Sequence, residues 1–111
     1  MIEIIDLHRE KPSLPYDFIV DRTTALGNPL ALCSEDRRDK VCNSYDAYLP
    51  QKIIEKDPAI IKELNILFFA YVHYEKLRLF CWCAPKRCHA ETIRNILYNK
   101  YLEEKSKGHV K

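Results

Sequence analysis

Neither sign of charge prevails in this sequence: 18 lysines and arginines stand against 16 aspartates and glutamates, leaving a net +2. Bulk charge therefore gives no argument for a nucleic-acid partner, which would need a local basic patch. Long apolar runs are missing as well. The longest, Ile66 to Val72, is far too short to cross a bilayer, so no membrane association is expected. The opening residues Met-Ile-Glu-Ile-Ile-Asp carry acid where a signal peptide carries base ahead of an apolar stretch, and no export signal is read there. Cysteine occurs five times, an odd number. Without export that excludes a disulfide framework and implies reduced thiols in a cytoplasmic protein. There is no internal repeat and no low-complexity block.

What is present suits one compact domain. The chain has 111 residues, 47% of them hydrophobic, enough for a core and too few for a second domain. Residues 1–102 read as the domain and 103–111 as a polar C-terminal tail. Ile2, Ile4 and Ile5 predict a first strand reaching about Leu7, and a loop with two prolines covers His8 to Pro15. Tyr16 to Val20 reads as a second, short strand. An irregular segment from Asp21 to Cys33 follows, holding Gly27-Asn28-Pro29. Proline pushes Asn28 away from helical geometry, and Gly27 is free to adopt positive φ.

Three helices are expected. Ser34 is an N-cap for the first, with Glu35 and Asp36 in its first turn and Val41, Tyr45, Tyr48 and Leu49 on its inner face. Asp57-Pro58 starts the second, whose inner stripe is Ile61, Leu64, Phe68 and Tyr71. Leu77 to Cys81 is a buried strand. Cys88 or His89 opens the last helix, with Ile93, Ile96, Leu97 and Tyr101 facing inward. The order β-β-α-α-β-α predicts an α/β fold, a small two- or three-layer domain with a short, mostly parallel sheet flanked by helices.

The chemistry concentrates in Cys81-Trp82-Cys83-Ala84-Pro85-Lys86-Arg87-Cys88-His89, where a strand ends, a basic turn follows and a helix begins. An open α/β sheet places its ligand crevice at such strand exits. Cys81 reads as a small core residue. Cys88 is the candidate nucleophile, because the helix dipole together with Lys86 and Arg87 favours a thiolate; the plain alternative is a helix cap packed under Trp82. His89 adjoins it in sequence, but neighbours in a first helical turn diverge, so His89 is read as a hydrogen-bond donor to a ligand or loop rather than as a base to Cys88. Zinc on Cys81, Cys83, Cys88 and His89 is weighed and set aside, since structural sites pair their ligands two to four residues apart in knuckles, whereas here one pair is on a strand and the other is sequential. No metal and no cofactor are expected.

These residues resemble a family of small bacterial and bacteriophage proteins catalogued as a domain of unknown function. The resemblance rests on Arg22, Leu26-Gly27-Asn28-Pro29, a helix holding Arg37 and Tyr45, and Cys81-Trp82-Cys83-Ala84-Pro85 followed by Cys88-His89, and covers roughly Tyr16 to Leu97. Asp21 and Ala90 stand where that family has glycine, and both narrow the space near the site. The resemblance supplies no reaction.

Arg22, Gly27, Asn28 and Arg87 are the candidate ligand-binding residues, with Cys88 and His89 as candidate catalytic ones. Guanidinium groups, free backbone N–H groups and a helix N-terminus form a set suited to anions. The expected partner is a nucleotide, another phosphate-bearing ligand or a nucleic-acid end. Against this stands the plain bracing of a loop by Arg22 and Asn28. The alternative function is a non-catalytic phage protein that docks on a host protein in the host cytoplasm, with aromatic residues as anchors.

Overall fold

The structure, a computed structural model, describes residues 1–21, 24–27, 38–82 and 89–108. Within them lie strands β1 (Ile2–Asp6), β2 (Asp17–Ile19) and β3 (Leu77–Cys81) and helices α1 (Arg38–Ile54), α2 (Pro58–Tyr74) and α3 (Ala90–Ser106). The sheet order is β1-β3-β2 and both pairings are parallel. Ile4 pairs with Leu79 on one side, and Phe18 pairs with Leu79 on the other. The fold is the expected α/β domain, and its sheet is parallel throughout.

β3 is central because it alone can be buried on both faces. Leu77, Leu79 and Cys81 enter the main core together with Tyr45 and Leu49 of α1, Leu64 and Leu67 of α2, and Ile93 and Leu97 of α3. A side chain of this kind contributes about 1.5–3 kcal/mol when fully buried. The alternate residues Arg78 and Phe80 point to the opposite face and are buried as well.

That opposite face is covered by the connection between β1 and β2. Two parallel strands flanking a third cannot be joined by a hairpin, so residues 7–16 must run back along the sheet. The connection holds two prolines and is fastened by charge. Arg78 pairs with Glu10, and its Nε lies 3.4 Å from Asp17 Oδ1. The Asp17 side chain is fully buried, and its other oxygen accepts the N–H groups of Ser13 and Leu14, each at 3.0 Å. The guanidinium also lies 5.2 Å from the centre of the Phe80 ring.

The helices begin and end by local chemistry. Asp57 caps α2, accepting from the N–H of Ala59 at 3.1 Å and of Ile60 at 3.2 Å, with Pro58 in the first turn. Glu75 closes it in a left-handed conformation. The expected inner stripe of α2 is corrected by one position: Ile60 is buried and Ile61 only partly so, with Leu64, Leu67, Phe68 and Tyr71 completing the face. In α1, Cys42 is buried beside Tyr45 and Leu49, whereas Val41 is half-buried. The expected cap Ser34 lies outside the described residues. α3 continues through Ser106. Its Tyr98 hydroxyl accepts the Ile2 N–H at 2.8 Å, tying the helix to the start of β1. Among the described residues no helix is long and apolar enough to cross a membrane.

Candidate functional site

Because all three strands are parallel, their C-terminal ends share one edge. The residues leaving those ends are linked to one another. Past β1, Asp6 Oδ1 accepts both the backbone N–H and the Nδ1–H of His8, each at 2.9 Å. The backbone bond is an Asx turn, in which an aspartate accepts from the residue two positions on. That bond first, and then the ring N–H, hold the Asp6 carboxyl below its ordinary value. The His8 ring meets the indole of Trp82 edge-on, with centroids 4.9 Å apart. Trp82, just past β3, donates its Nε1–H to Asp21 Oδ2 at 2.9 Å, and Asp21 lies just past β2. Asp6, His8, Trp82 and Asp21 thus run across the edge in the order of the strands. Trp82 remains 53% exposed, a large share for an indole held at two points.

Behind this row is a buried junction. His89, at the N-cap of α3, donates its Nε2–H to the carbonyl of Val20 at the exit of β2. Its ring packs edge-on against Tyr45 at 5.2 Å. The Tyr45 hydroxyl donates to the Leu26 carbonyl at 2.6 Å, fixing the turn in which Gly27 N–H bonds Thr24 O at 3.1 Å. Thr92, one turn into α3, donates to Asp46 of α1. The start of α3, the exit of β2 and the loop before α1 are therefore joined through two aromatic rings.

Of the sequence-derived candidates, Gly27 and His89 are described and lie around this junction. His89 is nearly buried and is bonded to backbone. Arg22, Asn28, Arg87 and Cys88 lie outside the described residues, as does Cys83. Cys81, weighed as a metal ligand, is packed in the core; it and Cys42 form no disulfide. Three contributors are not marked as such in the sequence. His8 falls in a segment that reads as loop, although an aspartate at a strand end with histidine two residues on is itself a turn signal. Trp82 reads as packing over Cys88 or as one of the aromatic anchors. Tyr45 reads as part of a core stripe, and its bond to Leu26 has no local signature.

A family model described as Domain of unknown function (DUF4326) matches residues 5–99. The chain belongs to the DUF4326 family. No curated protein and no solved structure matches it. The DUF4326 match begins within β1 and ends within α3, so Asp6, His8, Asp21, Trp82 and His89 all fall inside it.

Proposed function

We propose that this DUF4326 protein binds a phosphate-bearing ligand at the C-terminal edge of its sheet. The observation that carries the reading is the bond from His89 to Val20, which brings the start of α3 to the exit of β2. Arg22 follows that exit by two residues, and Arg87 and Cys88 immediately precede His89. In this reading Arg22 and Arg87 contact the phosphate, Asn28 supplies its backbone N–H from the turn that Gly27 closes, and the helix dipole adds to both. Cys88 is the reactive group if the ligand is processed as well as bound, and His89 holds the two segments together. A bacterial or bacteriophage source, with the protein in the cytoplasm of the cell or host, belongs to the same reading.

The test is a thermal-shift and calorimetric screen with inorganic phosphate, pyrophosphate, ribose 5-phosphate and nucleoside monophosphates. Binding to the native state must raise the melting temperature. Arg22→Ala is expected to abolish the shift while leaving the circular dichroism spectrum unchanged. Failure of every probe would overturn the reading.

A second reading, docking on a host protein, is favoured by Ile66 and Phe69. They lie one turn apart on α2 and are 40% and 70% exposed, an apolar pair on the surface of a helix. It becomes the preferred reading if no phosphate-bearing probe shifts the melting temperature.

A further inference from the structure

We infer that Trp82 is a stacking platform for an aromatic base, so that the ligand at this edge is a nucleotide rather than a sugar phosphate or a free inorganic anion. The inference rests on the phosphate reading above and narrows it.

An exposed tryptophan forgoes the stabilisation that burying a large apolar ring would give. Trp82 is nevertheless held at two points. Its Nε1–H is bonded to Asp21, which leaves the neighbouring strand on one side. On the other side stands the His8 ring, held by its Nδ1–H bond to Asp6, which also accepts the His8 backbone N–H. The indole is thereby fixed from both flanking strands, while about half its surface stays open. A rigid, half-open aromatic ring is the arrangement that stacks a planar ring at little entropic cost. Base-on-aromatic stacking is tolerant of base identity, because every base has a π-face.

The position of the platform fits the rest of the ligand. Asp21, the acceptor for the indole N–H, is followed directly by Arg22. In the phosphate reading Arg22 contacts the phosphate, so the residue that holds the indole and the residue assigned to the phosphate adjoin in sequence. The described polar groups of the row are two carboxylates and an imidazole. Asp6 and Asp21 place negative charge beside the indole, which favours the base end of a nucleotide there over its phosphate end.

Trp82 is the only tryptophan in the chain, so its fluorescence reports this edge alone. The experiment titrates the intact protein with AMP, CMP, GMP and UMP, and in parallel with ribose 5-phosphate and a nucleoside without phosphate. Quenching by the monophosphates is expected, with ribose 5-phosphate binding roughly 10-fold or more weaker and leaving emission unchanged, as one lost stack implies. By calorimetry, Trp82→Leu should bring monophosphate affinity down to that of ribose 5-phosphate and leave the latter unaltered, while Trp82→Tyr retains most of the binding. If ribose 5-phosphate and the monophosphates bind alike, and Trp82→Leu changes neither, the stacking assignment fails while the phosphate reading stands. If the free nucleoside binds as well as its monophosphate and quenches, the platform stands and the phosphate reading fails. Quenching by a single-stranded oligonucleotide with no response to any monophosphate overturns the mononucleotide assignment in favour of a nucleic-acid strand.

Discussion

Trp82 Nε1 donates to Asp21 Oδ2 at 2.9 Å, and this bond joins the exits of β3 and β2 at the solvent-facing edge of the sheet. A glycine at position 21 would leave the indole without that acceptor. Asp21→Ala is therefore expected to loosen Trp82, seen as lower steady-state anisotropy of its emission, whereas Asp21→Asn, which keeps an acceptor oxygen, should preserve it. The cost to stability should stay near 1 kcal/mol or below, as for a typical single hydrogen bond. Equal anisotropy in wild type and Asp21→Ala would show that the bond does not restrain the ring.

The clasp beneath the crossing connection behaves differently, because its charges are buried. Asp17→Ala removes the buried one of the two carboxylates beside the Arg78 guanidinium, leaving Glu10, together with the acceptor for two backbone N–H groups. A loss of about 3–5 kcal/mol is expected from the half-compensated guanidinium and the two orphaned N–H groups. Arg78→Met keeps the aliphatic volume, so chemical denaturation should find it less damaging than Asp17→Ala. The reverse order would show that loss of the guanidinium strands the buried Asp17 carboxylate.

At the centre of the sheet, Leu79 is fully buried and its backbone is paired on both sides. Leu79→Ala should cost about 2–5 kcal/mol, measured as a lower denaturation midpoint with an unchanged slope.

The Asp6 carboxyl should titrate below its ordinary value of 3.8 in a pH series of side-chain carbonyl spectra. A depressed folded-state pKa stabilises the fold above the unfolded value, and that contribution is lost as pH falls through the folded one. The window therefore lies in acid, near and below pH 4. His8→Ala deletes the ring bond but keeps the backbone N–H, the larger cause. The midpoint is thus expected to rise only part of the way to normal. A complete return would assign the effect to the imidazole.

If Cys88 occupies the proposed site, a thiol reagent near neutral pH should label it ahead of Cys42 and Cys81, which are 5% and 1% exposed. Mass mapping of the modified peptides at short times gives the order. Labelling of Cys81 first would contradict both its packing and the proposal.

What the sequence made legible is what local chemistry controls. Asp57-Pro58 ahead of a helically periodic apolar run marks a helix start, and Leu77–Cys81 is apolar enough to belong to the interior. Strand order was not legible, since it depends on which strand can be covered on both faces. On α2 Leu64, Phe68 and Tyr71 face inward as expected, and Ile60 replaces Ile61 alone, because both satisfy helical spacing with Leu64. At the candidate site, the convergence of β2's exit with α3's start was expected from topology. The agents of that convergence, a histidine on a carbonyl and a tyrosine on another, are pairs 69 and 19 residues apart, and no local pattern marks them.

The strand order also governs how the chain can assemble. β1 and β2 are finished within the first 19 residues, yet neither pairs with the other, and each has only β3 as its neighbour. Until residues 77–81 are available, a growing chain can form α1 and α2 but not one rung of the native ladder. The sheet therefore cannot form before its last strand, and each edge strand must close a long loop to reach it. Contacts of such sequence separation slow folding relative to the local contacts of the helices.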